Sequence, residues 1–400
     1  MNTINNASLR NILKACWFTP SLGSTPTRPK WGLPLMLSGD PGTGKTSMVT
    51  SEAESLGCTT KVVIASLCDP TDFGGIPVKP ADGGRFSQQL LPQWSKDVYD
   101  WAGAGLLVFD EFTTVSPAVQ AALLRVVLER HIGDAVLPDR VRVVGVMNPP
   151  EQAPAGGSLS LPMVNRFGHF VVQPADLTDW FSILRGEFYA DQPLDADAEE
   201  ARVLAAWPAA YGHALSLAQG FLSRRPDLAQ KTPKVGTPQA EQPWTSRRTW
   251  EFAARAMAGA VIHGLTVDER DSLLSAYLGD ATAVEFTAWL RDTDLPDPAQ
   301  VLDGFEQWVV KTHRPDRTLA FLTSATTLVI RTDDVQTRTE RARVLWNILA
   351  KSVDTPDLAM QSVTRLSAPS VGVAYLPEAA AARSVIAPVA RAVQLGGLTR

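Results

Sequence analysis

Gly39-Asp40-Pro41-Gly42-Thr43-Gly44-Lys45-Thr46 satisfies the pattern GxxxxGK[ST], and Ser47 follows it. The apolar run 33–38 before it reads as a strand, and 46–56 after it reads as a helix closed by Gly57. A strand-to-helix setting is what this motif needs. Its glycines let the backbone N–H groups turn inward around phosphate oxygens, while the helix N-terminus adds a favourable dipole. Gly39 to Ser47 is therefore expected to cradle the phosphates of ATP, with Lys45 reaching the β and γ phosphates. The Thr46 hydroxyl would ligate Mg2+.

Downstream, Leu106-Leu107-Val108-Phe109 is an apolar run ending in Asp110-Glu111, as expected of a buried strand that delivers two carboxylates to the phosphates. Asp110 is expected to hold the Mg2+ shell and Glu111 to polarise the attacking water. Phosphoryl transfer then needs a polar group to orient that water, and cations for the developing charge. The strand candidate 141–147 ends at Asn148-Pro149-Pro150, which puts Asn148 at a carboxyl end, where open α/β sheets bind ligands. Arg166, just before the last strand candidate, 169–172, is the candidate cation across a subunit boundary.

Working outward, short apolar runs at 33–38, 61–66, 106–109, 141–147 and 169–172 alternate with helical periodicity. This is the signature of an α/β fold, a five-stranded parallel sheet in an αβα sandwich. One of the helices opens with Ser116 as N-cap and Pro117 at the first helical position, and Val119, Ala122, Leu123, Val126 and Val127 form its apolar stripe. After Pro174 strand signals fade, and helical patterns run to the end. The expected layout is an N-terminal arm (1–30), a nucleotide-binding αβα domain (31–174), a helical lid (175–294) and a helical C-terminal region (295–400). Inside the lid, 231–243 reads as a loop.

These elements, in this order, resemble the AAA+ ATPases. Within that superfamily, Cys68-Asp69-Pro70-Thr71-Asp72-Phe73-Gly74-Gly75-Ile76-Pro77, Phe109-Asp110-Glu111-Phe112 and Asn165-Arg166-Phe167 resemble the MoxR family. The resemblance covers residues 31–174 and fades past about residue 295. It implies that Arg166 is an arginine finger acting in trans. It also implies that Ser246-Arg247-Arg248-Thr249-Trp250-Glu251 carries the lid's second sensor, with Arg248 favoured at the γ-phosphate in cis and Arg247, which stands where the family often has proline, as the alternative. By the same resemblance, 73–94 is an insertion, with a turn at Gly83-Gly84, and 130–142 is a hairpin. Both could face the pore of a ring, a hexamer of this chain.

The implied role is that of a chaperone-like remodeller or metal-insertion factor for a protein client, beside a partner with a von Willebrand factor A domain. Two rivals are a nucleic-acid motor or loader and an ATP-gated switch with little turnover. Thirty-seven basic against 42 acidic residues, a net charge of -5, argue against the first, since no basic stripe draws the chain to nucleic acid. Glu111 and Arg166 argue against the second.

The remaining composition mostly excludes. The five histidines, His131, His169, His213, His263 and His313, show no metal-ligand spacing, and the three cysteines show no CxxC pair, so reduced thiols and a cytoplasmic location are expected. No apolar run reaches the roughly 20 residues that a membrane helix needs. The eleven tryptophans, such as Trp289, fall among apolar helical residues and read as core.

Overall fold

The computed structural model describes residues 3–4, 6–21, 29–80, 86–152, 157–185, 193–293, 295–309, 314–351 and 356–368. The Gly83-Gly84 turn, His313 and the end of the chain beyond 368 lie outside the described residues.

Among the described residues ten strands occur: β1 (Thr3–Ile4), β2 (Leu35–Ser38), β3 (Thr59–Ile64), β4 (Ile76–Val78), β5 (Gln88–Leu90), β6 (Gly105–Asp110), β7 (His131–Ile132), β8 (Ala135–Val136), β9 (Val141–Met147) and β10 (Gly168–Val172). Six form one parallel sheet in the order β1-β10-β2-β9-β6-β3. The five expected strands are all present. Apolar residues on both faces account for the central ones: every residue of β9 is buried, and β6 is buried up to Asp110. With helices on its faces and a helical region after it, this is the P-loop AAA+ α/β fold.

Two details differ from the reading by pattern. Strand β3 begins two residues earlier than expected and ends at Ile64, because pairing with β6 runs from Thr59–Gly105 to Ile64–Asp110; Ser66 falls in the turn beyond. The sheet also gains a sixth strand, β1, followed by the helix Asn6–Trp17. Leu9, Ile12, Leu13 and Cys16, spaced at 3.6-residue periodicity, are buried there, so this N-terminal segment packs into the sheet domain.

Buried Arg142 on β9 ties that segment down. Its guanidinium donates to the carbonyls of Trp17 (3.0 Å) and Arg140 (2.6 Å) and to Glu200 (2.6 Å), and it lies 5.2 Å from the Phe18 ring. A buried cation with each of its three nitrogens donating is held, whereas one stripped of Glu200 would be strongly destabilising.

His169 on β10 is partly buried, with one ring nitrogen 2.9 Å from the Val164 carbonyl. Burial pushes its imidazole from the ordinary 6.5 down to about 4. Between those values the unfolded chain takes up a proton that the folded chain refuses, so stability falls as pH drops from 6.5 towards 4. The slope expected from this one group is about 1.4 kcal/mol per pH unit. Urea midpoints at pH 6 and 5 should show a slope shallower by that amount in His169→Gln; an unchanged slope would mean that the imidazole protonates in place.

The chain divides into two compact units, Met1–Ala206 with Gln230–Val284, and Trp207–Ala229 with Glu285–Arg400. Beyond β10, no strand occurs among the described residues. In the first unit the helices Arg247–Ile262 and Val267–Leu278 each open with a capping box, Ser246 with Thr249 and Thr266 with Glu269. Tyr277 lies against Gly168, where a side chain would come within 2.5 Å of the ring, and donates to the Pro34 carbonyl. The second unit packs the helices Pro315–Arg331, Val335–Ala350 and Pro356–Leu366 around Phe321, Leu322, Trp346, Leu349 and Val363. No helix among the described residues is long and apolar enough to cross a membrane.

Candidate functional site

The loop 39–44 leaves the carboxyl end of β2 and enters the helix Lys45–Ser55. Gly42 and Gly44 have φ of 78° and 76°, which a side chain would make costly. Gly39 passes so close to β10 that a Cβ would lie 2.7 Å from the Val172 carbonyl. Lys45 folds back over the loop, and its ammonium donates to the carbonyls of Gly39 and Asp40 (2.8 Å each) and to Asn148 Oδ1 (3.0 Å). Burial lowers its pKa, with Asp110 and Asp40 opposing. An ammonium so placed stands ready to exchange two carbonyls for phosphate oxygens.

Thr46 Oγ1 donates to Asp110 Oδ2 at 2.6 Å. A hydroxyl and a carboxylate converging beside an ammonium are a hard-oxygen donor set that suits Mg2+, so the residues present fit the expected metal. Asn148 is held from behind, its carbonyl accepting from Thr113 Oγ1 at 2.6 Å, while its side-chain oxygen faces Lys45. Lys45, Thr46, Asp110 and Asn148, which come from three neighbouring strand ends, thus meet in one cradle.

Glu111 follows directly in the left-handed region, at φ 56° and ψ 40°. That conformation is uncommon for a residue with a Cβ and recurs at functional positions. It turns the carboxylate towards Ser66, whose hydroxyl donates to Glu111 Oε2. Motif spacing had not singled out Ser66, which follows a strand with no signature of its own. That hydrogen bond occupies one of the two oxygens with which Glu111 would accept the water's proton, and it must be given up before that oxygen can act. Ser66→Ala should therefore raise basal turnover by about fivefold, the size of one net hydrogen bond, at unchanged KM; phosphate-release kinetics would show instead a fall if Ser66 were needed to aim Glu111.

Arg166 and Arg248 lie elsewhere. Strand β10 pairs with β2 in parallel, Gly168 opposite Leu35 and Val171 opposite Ser38. Asn165-Arg166 therefore precede the amino end of β10, about 13 Å or more down the strand axis from Gly39. Ser246 Oγ donates to Asn165 Oδ1 at 2.8 Å and Arg248 Nη1 to the same atom at 3.4 Å, docking the start of the helix Arg247–Ile262 there. The two guanidiniums are neighbours: burial, and then the charge of Arg248, push the Arg166 pKa down. Arg166 donates to the Pro162 carbonyl, its Nε is buried without a partner, and neither arginine forms an ion pair among the described residues. The resemblance implies Arg248 at the γ-phosphate in cis; in this structure its contact with Asn165 holds it at the opposite end of the sheet from its own Lys45.

Beside the loop lies a cavity of about 440 Å³ whose other wall is Pro174, Leu177, Trp180 and Ile183. These residues had carried no motif; the signal in the sequence was Leu177-Thr178-Asp179-Trp180-Phe181-Ser182-Ile183-Leu184, a helix with more apolar residues than one buried face can use. A second cavity, about 380 Å³, lies among Met147, Glu151, Glu241 and Asp280, where carboxylates disfavour phosphate. Among the described residues no cluster of His, Cys, Asp and Glu could hold a resident metal.

Two hairpins flank this domain. Strands β4 and β5 pair antiparallel, with Ile76 and Leu90 exposed, and β7 and β8 pair about Gly133 at φ 54°, with Val136 exposed.

Residues 34–167, about a third of the chain, match the family described as the AAA domain of the dynein-related subfamily. A stretch of 163 residues, 39% of the chain, is 28% identical to Midasin of Giardia intestinalis, of which it spans 3% of the length. A crystal structure of a proposed ATPase from Cytophaga hutchinsonii aligns over 72% of this chain and 87% of that one, at 15% identity and a TM-score of 0.44.

Proposed function

We propose, from the AAA domain at residues 34–167 as premise, that this chain hydrolyses ATP with Mg2+ and turns hydrolysis into remodelling of a protein client. The observation that carries the reading is the joint cradle of Lys45, Asn148 and the Thr46–Asp110 pair at the carboxyl end of β2. Lys45 and the N–H groups of residues 42–46 would hold the β and γ phosphates. Thr46 and Asp110 would hold Mg2+, which when bound offsets charge on the phosphate oxygens. Glu111 would take the proton of the attacking water, and the Asn148 amide would orient that water.

In this proposal Arg166 and Arg248 serve a neighbouring copy. Two like-charged guanidiniums held side by side, with Glu129 and Glu251 near but in no ion pair with them among the described residues, are an anion site awaiting an anion, and their own phosphate loop is out of reach. A ring, a hexamer by resemblance, brings the amino end of β10 of one copy to the loop of the next. Loss of the γ-phosphate would then loosen that boundary. We keep as part of this proposal the MoxR assignment, the division into arm, nucleotide domain, lid (175–294) and C-terminal region, the cytoplasmic setting, and a von Willebrand factor A domain partner. The exposed Ile76, Leu90 and Val136 on the hairpins would meet the client.

Phosphate release from ATP by the purified chain, with and without Mg2+, tests the reading. Magnesium-dependent turnover is expected; tight ATP binding with no turnover in any assembly state would favour a nucleotide-gated switch instead.

A further inference from the structure

The cavity beside the phosphate loop is lined by two kinds of surface. One is the loop backbone with the hydroxyls of Thr43, Ser47 and Ser51; the other is apolar, from Met48, Pro174, Leu177, Trp180 and Ile183. No Asp, Glu, Asn, Gln, His, Lys or Arg lines it among the described residues. The helix Leu177–Leu184 buries none of its side chains: Leu177 is 72% exposed and Trp180 46%. Apolar surface left open is costly unless something covers it, and here it is continuous with a phosphate cradle. The Phe181 ring, 4.9 Å from the Trp180 ring, restricts where the indole can turn.

We propose that Trp180, with Leu177 and Ile183, is the platform for the nucleotide base, and that this platform reads the face of the base and not its hydrogen-bonding edge. The proposal rests on the ATP reading above and deepens it to a statement of base specificity. Adenine and guanine share size and π-face but differ at the edge, where one presents a donor and an acceptor in the order that the other reverses. A side chain separates them only if it holds a fixed donor or acceptor at that edge. Among the described residues the polar side chains in this cavity are the hydroxyls of Thr43, Ser47 and Ser51, which rotate to donate or to accept as the partner demands, and Trp180, whose indole N–H is a fixed donor on a half-exposed ring. Sites that reject a near-isostere strongly do so by leaving a fixed buried polar group unpaired, and no fixed polar side chain among the described lining residues is buried. The chain therefore takes ATP and GTP nearly alike, and it holds pyrimidine nucleotides less well because their smaller rings cover less of the indole.

Calorimetric titration of the Glu111→Gln chain with Mg2+ and each of ATP, GTP, CTP and inorganic tripolyphosphate tests this without turnover. ATP and GTP should bind within about threefold of each other and CTP about tenfold or more weaker, the scale of a lost base–aromatic stack. Trp180→Ala should weaken ATP and GTP together by a similar factor while leaving tripolyphosphate unchanged, and Trp180→Phe should restore most of the loss. A preference for ATP over GTP of about thirtyfold or more would show edge reading by backbone groups and overturn the proposal. So would unchanged ATP binding in Trp180→Ala. If tripolyphosphate and every nucleotide failed to bind, the fault would lie in the phosphate cradle, and the ATP reading would fall together with this one.

Discussion

Glu111→Gln is expected to hold ATP about as tightly as the wild-type chain and to turn it over about a hundredfold or more slowly, the usual loss when a general base is removed. The change is nearly isosteric, so the left-handed backbone at φ 56° and the contact with Ser66 can persist. Asp110 cannot substitute, because its carboxylate is engaged by Thr46 Oγ1 at 2.6 Å and faces the metal position. Lys45→Ala should do the reverse and abolish binding. It removes the one ammonium in the cradle and leaves Asn148 Oδ1 and two loop carbonyls facing phosphate with nothing between them. Calorimetry for binding and phosphate release for turnover separate the two effects. Wild-type turnover in Glu111→Gln would strip Glu111 of its role as base, and ATP binding by Lys45→Ala would remove the ammonium from the cradle's energetics.

Arg166→Ala and Arg248→Ala should each cut turnover by about a thousandfold, as loss of an arginine finger does, while leaving each chain's own Lys45, Thr46 and Asp110 intact. Mixing decides on which side the arginines act. If both serve the neighbour, Arg248→Ala mixed with Lys45→Ala recovers part of the activity, since some boundaries then join an intact loop to an intact arginine pair. Were Arg248 to act in cis, no chain in that mixture would carry both Lys45 and Arg248, and nothing would return. The mixture of Arg166→Ala with Arg248→Ala gives the opposite signature: no recovery when both come from one neighbour, and partial recovery when one is cis and the other trans. Phosphate release in well-exchanged mixtures reads both. The shared anchor on Asn165 is the reason to expect the two arginines to behave as a unit.

The residues legible by pattern are those whose task is local. Gly42 and Gly44 are needed because the chain turns at those positions, and the helix beginning at Lys45 follows without a break. Asp110 was legible as the last residue of an apolar strand, and Asn148 as the residue after one, because in a parallel sheet strand ends converge on one edge whatever the connections. The amino-acid sequence by itself thus determined the α/β class, the loop that would hold phosphates and the carboxylate pair beside it. Each depends on neighbours within a turn or a strand.

Tertiary structure alone decided the rest. Ser66 meets Glu111 across 45 residues, Trp180 faces a loop ended by residue 44, and Arg248 reaches Asn165 across 83 residues. No periodicity encodes such meetings. They follow from sheet order and from the side of β10 on which the helices Arg247–Ile262 and Val267–Leu278 dock, which Tyr277 against Gly168 sets by steric fit. A motif states which groups are chemically able to act; whether Arg248 acts on its own nucleotide or a neighbour's depends on distances that arise only once the sheet has ordered its strands.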